Sequence, residues 1–162
     1  MKAMTLATLV VGLTIAVRVA AQTSATDEVL TNEKIISMTA ANVEKDLLLS
    51  KLTTTRNAFD VSVGGLVTLN QARVSQDVMK AMITAAANSK LGRPPAATPE
   101  VLDNQSVITM ITGKVPKAVI LMKIQNTKGQ YDLSSEGLVS LTQAKVPSDV
   151  IQVMTAKNGE GK

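Results

Sequence analysis

The chain contains no cysteine, no histidine and no tryptophan, and its 162 residues include one phenylalanine and one tyrosine. Without Cys or His there is no zinc finger, disulfide framework, thiol nucleophile, imidazole base or imidazole-bound metal. With so few aromatics, any core must come from Ala, Leu, Val, Ile and Met. Apolar residues make up 45% of the chain, too many for a disordered one. Charge of one sign is scarce as well: 17 basic residues stand against 13 acidic ones, a net of +4. The length allows one domain or two small ones. No biochemical activity is written in these averages.

The N-terminus accounts for part of them. Lys2 precedes an apolar run from Ala3 to Val17, Arg18 closes it, and Val19-Ala20-Ala21 place small residues before Gln22. That is the layout of a cleavable secretory signal, so residues 1–21 are expected to be a signal peptide and the protein to be exported, periplasmic or extracellular. An uncleaved anchor is the alternative, although the run is shorter than the ~20 residues that span a bilayer. No Cys follows to carry a lipid. Loss of Lys2 and Arg18 leaves 15 basic against 13 acidic residues, or +2. A polyanion-binding role loses its compositional support, and no nucleic-acid partner is expected. No later stretch is apolar enough to cross a membrane.

What is present is repetition. Residues 30–83 and 102–155 align without a gap at a shift of 72. Gly65-Leu66-Val67-Thr68-Leu69 answers to Gly137-Leu138-Val139-Ser140-Leu141, and Phe59-Asp60 answers to Tyr131-Asp132. Agreement at a fixed period marks a duplication. Between the copies, Gly92, Pro94, Pro95 and Pro99 read as a linker.

A shift of 31 works within each copy and yields four segments. Thr31, Ser62, Asp103 and Ser134 suit helix N-caps, because their side-chain oxygens can accept an orphan N–H. Apolar pairs (Ile35-Ile36, Leu66-Val67, Val107-Ile108, Leu138-Val139) then open a stripe of helical period, continued by Met38, Leu69, Met110 and Leu141. Next comes an unvarying Val: Val43, Val74, Val115 and Val146. Glu44, Ser75, Pro116 and Pro147 follow it and suit the start of a second helix.

The expectation is therefore an all-α fold of two tandem four-helix units, each made of two helix–corner–helix segments. Residues 30–86 and 101–157 form the units, 22–29 and 87–100 the linkers, and 158–162 a tail. Each corner Val should point inward, and Phe59 and Tyr131 should fill the space between the hairpins of their unit. Whether the units pack together is open at this level.

Candidate chemistry is thin. Helix–corner–helix invites a DNA-binding reading, but that motif asks for a small residue where Met38, Leu69, Met110 and Leu141 stand. It often has Gly where Asn42, Arg73, Lys114 and Lys145 stand. The recurring acids Asp46, Asp60, Asp77, Asp132 and Asp149 could pair for glycoside hydrolysis, yet each sits where capping or the helix dipole explains it. The methionines occupy stripe positions, apart from Met122 and the two in the signal, and read as core rather than metal ligands. One polar cluster recurs: Lys51, Thr55 and Asp60 in the first copy, Lys123, Thr127 and Asp132 in the second. These six are the candidate ligand contacts, set against the blander reading in which each Lys packs its stem and keeps its head in water. No catalytic residue, cofactor or metal is expected.

The runs Leu-Thr-Asn-x-x-Ile-Ile-x-Met at 30–38, Phe-Asp-x-Ser at 59–62 and Gly-Leu-Val-x-Leu-x-x-Ala-x-Val-Ser at 65–75, with Gly137 to Met154, resemble helical-hairpin modules of uncharacterised secreted bacterial proteins. The resemblance implies the module and no activity. The preferred function is an exported, non-catalytic protein- or peptide-binding or scaffold module of the cell envelope. An exported carboxylate-only hydrolase acting on wall glycans is the alternative, and a lipid-contacting envelope protein is the weaker one.

Overall fold

The computed structural model describes residues 28–88 and 100–159. The expected signal peptide, residues 22–27, the Pro-rich stretch 89–99 and the last three residues lie outside the described residues. The all-α expectation holds, with eight helices among the described residues. In chain order the elements are β1 (Val29–Leu30), α1 (Asn32–Ala40), α2 (Lys45–Thr54), β2 (Arg56–Asn57), α3 (Val63–Gln71) and α4 (Gln76–Asn88). They continue with β3 (Val101–Leu102), α5 (Asn104–Thr112), α6 (Lys117–Asn126), β4 (Lys128–Gly129), α7 (Ser135–Gln143) and α8 (Ser148–Gly159).

Three of the four expected N-caps bond through their side chains. Ser62 accepts from the Gly65 N–H, Asp103 from Ser106 and Ser134 from Gly137, whereas Thr31 caps without a side-chain bond. Helices this short are marginal alone. They are held by stacking: α1, α3, α5 and α7 touch in succession as one layer, and α2, α4, α6 and α8 form the other. One apolar core runs through all four hairpins, from Leu30 and Ile35 to Val150 and Met154. The question left open by sequence is thereby answered. Helix α3 packs on α5 and α4 on α6, so the second and third hairpins are in contact.

The corners explain the unvarying Val. After α1, Asn42 N–H donates to the Thr39 carbonyl and Val43 N–H to the Met38 carbonyl, both at 3.0 Å. This pair of reversed bonds is a Schellman ending, which brings the residue after the turn onto the residue that accepts from it. It recurs with Arg73 and Val74 on Asn70 and Leu69, Lys114 and Val115 on Ile111 and Met110, and Lys145 and Val146 on Thr142 and Leu141. Asn42, Arg73, Lys114 and Lys145 consequently have φ of 56°, 60°, 56° and 58°. The lack of Gly at these positions, which sequence reasoning counted against a DNA-binding helix-turn-helix, does not prevent a left-handed corner. Val74, Val115 and Val146 are buried, and Val43 is only partly so.

The strands were not foreseen, since two residues are too few to show an alternation. β1 pairs in parallel with β2 (Val29 with Arg56, Leu30 with Asn57), and β3 with β4 (Val101 with Lys128, Leu102 with Gly129). Each pair lays the chain leaving one hairpin beside the chain that entered it. The next residues then turn inward: Phe59 is 2% exposed and Tyr131 5%. A reciprocal amide clip closes the turn. Asn32 Nδ2 donates to the Asp60 carbonyl at 2.7 Å while Asp60 N–H donates back to Asn32 Oδ1 at 3.0 Å, and Asn104 and Asp132 do the same.

Tyr131 and Gly129 fit together. A Cβ on Gly129 would collide with the Tyr131 ring and hydroxyl. At the matching strand position of the first pair stands Asn57, close in sequence to the smaller Phe59. The Tyr131 hydroxyl is buried without a hydrogen-bond partner among the described residues. Burial, with the nearby Asp103 charge, pushes its pKa from 10.0 to about 12.

Three predictions come from this packing. Val74→Ala and Val146→Ala should each cost about 1–3 kcal/mol in denaturant melts, from lost burial and the cavity left behind. Val43→Ala should cost less, and Arg73→Gly should be neutral or stabilising by up to about 1 kcal/mol, because Gly relieves the left-handed backbone. In the second, Gly129→Asn should destabilise the chain, and Tyr131→Phe should relieve that loss only in part, because it removes the hydroxyl and keeps the two ring carbons that the new Cβ would meet. The raised tyrosine pKa contributes stability that is complete below pH 10 and lost as pH rises through about 12. Tyr131→Phe should abolish that alkaline decline.

Candidate functional site

The six candidate residues do not form two equal clusters. Lys51 and Lys123 lie on α2 and α6 one turn before the helix ends, and Thr55 and Thr127 are the C-caps of those helices. Asp60 and Asp132 are separate from them. Each accepts the backbone N–H two residues on (Ser62 or Ser134, 3.0 Å) and so shapes the start of α3 or α7. For Asp132 the Ser134 hydroxyl and N–H hold the carboxyl below its ordinary pKa.

Each lysine has an acidic partner just outside the units drawn from sequence. Lys51 Nζ lies 2.7 Å from Glu28 Oε2 with both side chains about one third exposed, and Lys34 adds a second contact at 3.5 Å. The Lys51 hydrogen bond holds the Glu28 pKa down. Lys123 Nζ lies 2.7 Å from Glu100 Oε2, but here the side chains are 4% and 19% exposed. The expectation that the lysine head stays in water is therefore wrong for Lys123. A buried ammonium needs a counter-charge and hydrogen bonds, and Glu100 supplies the charge. Its other oxygen accepts the Val63 N–H at 2.9 Å, at the start of α3. One carboxylate thus joins the second hairpin to the third. The missed signal was readable: Glu28-Val29-Leu30 and Glu100-Val101-Leu102 are identical triplets at the 72-residue shift.

Beside this ion pair is a cavity of about 340 Å³ between the second and third hairpins. Its apolar wall comes from Phe59, Val61, Ile83, Ala86, Ala87 and Val101, and Lys123 and Thr127 reach it from α6. Asp60 and Asp132 do not line it. The cavity is close to the lower end of the range for ligand pockets. A groove adjoins it, sharing Val101, Asn126, Thr127 and Lys128 and adding Gln125, Gln130 and Lys157. Val101 is one of four large apolar side chains left exposed among the described residues, at 46%. Lys128 is exposed where cavity and groove meet.

Among the described residues there is no cluster of three potential metal ligands. Asp77 is held low by Lys80 and Lys45, Asp149 by Lys117 and Asp103 by Ser106, each chiefly through a hydrogen bond. No described helix is long and apolar enough to cross a membrane.

Removing one partner of a buried pair strands the other charge, while exposed pairs contribute about 0–1 kcal/mol. Lys123→Ala is therefore expected to lower stability by several kcal/mol, about 3–5 for a fully desolvated partner. Lys51→Ala should change it by less than about 1 kcal/mol, and urea melts of the two variants side by side decide the point.

In comparisons with known proteins, no family model, no curated protein and no solved structure matches this chain.

Proposed function

We propose that this chain is an exported, non-catalytic module of two duplicated four-helix units that binds a protein or peptide partner in the cell envelope. The observation that carries the reading is the apolar cavity between the second and third hairpins, with a neutralised ion pair in its wall. A general acid of the glycosidase kind needs a carboxyl with a raised pKa beside an ionised one. Here Glu28, Asp77, Asp103, Asp132 and Asp149 are all shifted down by donors. Those carboxylates serve caps and ion pairs, which favours binding over the wall-glycan hydrolase. The N-terminal signal pattern supports export, and the near-balanced charge of the remainder gives no reason to expect nucleic acid.

The test uses the full chain titrated with a panel of short apolar peptides, followed by methyl resonances of Ile83 and Val101. Saturable shifts are expected, and they should vanish in Ala87→Trp, which fills the cavity from an exposed position without lowering the melting temperature. Unmoved resonances across the panel would sink the proposal. So would reproducible glycan hydrolysis by the pure protein that disappears on Asp60→Asn or Asp132→Asn.

A further inference from the structure

The cavity and its groove differ in chemistry, and Lys128 stands where they meet. The cavity wall is apolar, with Phe59 and Ile83 buried and Ala86 and Ala87 too small to fill the space. The groove is lined by amides, those of Gln125, Asn126 and Gln130, which can both donate and accept. A peptide backbone can exchange hydrogen bonds with such exposed groups, which an aliphatic tail cannot do. The charges at the junction are also uneven. Among the described residues Glu100 cancels Lys123, so Lys128 leaves the cavity lining with a net charge of +1, and Lys157 adds a second ammonium along the groove. A positive charge beside an apolar hole matches a carboxylate on an apolar residue.

Resting on the binding reading above, we infer that the site takes the C-terminal end of a polypeptide whose last residue is apolar and aliphatic. The terminal side chain enters the cavity and its carboxylate meets the Lys128 ammonium. The preceding residues run across Gln125, Asn126 and Gln130. Lys123 keeps Glu100 as its partner and holds the third hairpin in place. Capture of a chain terminus is a recurrent mode of peptide recognition, and the charge-assisted contact of an ammonium with a carboxylate is the stronger kind of hydrogen bond.

The experiment compares the tetrapeptide acetyl-Ala-Gln-Ala-Leu as free acid and as C-terminal amide, with dodecanoate as a tail-only probe, by calorimetry on the full chain. The free acid is expected to bind at one site about tenfold more tightly than the amide, a difference of about 1.4 kcal/mol. Lys128→Ala should weaken the acid by the same factor and leave the amide unchanged, and Ala87→Trp should abolish binding of both. Equal binding of acid and amide, both blocked by Ala87→Trp, overturns the terminal-carboxylate inference while the peptide-binding reading stands. Dodecanoate binding in place of the peptides overturns the inference in favour of a lipid-like ligand. No binding by this tetrapeptide while other members of the apolar panel bind refutes the C-terminal inference alone, and silence across the whole panel refutes both.

Discussion

The architecture depends on a reversal of direction made in very few residues. At each corner two backbone N–H groups bond back into the helix just ended, and the second of them belongs to the Val that enters the core. The orphan carbonyls of the helix end are satisfied, and the second helix leaves in a set direction. Everything downstream needs that angle. Only if all four hairpins share it can α1, α3, α5 and α7 form one layer and their partners the other. The left-handed residue at the corner carries strain, and Asn, Arg and Lys accept it with their side chains in solvent.

A second constraint acts between the second and third hairpins. Asn70 Nδ2 donates to the carbonyls of both Gly113 and Lys114 at 3.0 Å, so a side chain of α3 satisfies the exposed end of α5. Val67 packs so closely on Gly113 that a Cβ there would lie 2.8 Å from its Cγ2. Glu100 adds the charged joint to Val63 and Lys123. Helices α4 and α6 also pack on each other, and near the C-terminal end of α4 the short residues Ala86 and Ala87 leave the cavity unfilled.

Surface ion pairs follow the stack without defining it. Lys45 reaches Asp77 from α2 to α4 at 3.4 Å, and Lys117 reaches Asp149 from α6 to α8 at 2.7 Å. Between the second and third hairpins, Gln76 and Ala118 occupy the matching positions, so no such pair can form there. Exposed pairs contribute little to stability. Their value here is alignment of neighbouring helices, while the core carries the energy: each fully buried Leu, Ile or Met contributes about 1.5–3 kcal/mol.

Much of this was legible in the residues themselves, because it depends on near neighbours. Helix starts, apolar stripes and the inward corner Val are local patterns of period near 3.6, and a chain with two ring-bearing side chains and no cysteine has few other ways to build a core. The strands of two residues lay below any periodic signal, and the left-handed corners were hidden because Arg and Lys stood where Gly is customary. The site was least legible. Lys123 and Thr127 could be singled out, but their polar neighbours were misjudged: Glu100 lay beyond the drawn boundary, and Asp132 belongs to a helix cap. Phe59, Ile83 and Ala87 meet Lys123 only because α4 packs against α6. Sequence by itself determined the helices and the positions of their corners, since those follow from bonds spanning a few residues. Tertiary structure alone decided which lysine is buried and where a cavity remains, because burial and empty volume depend on elements far apart in the chain.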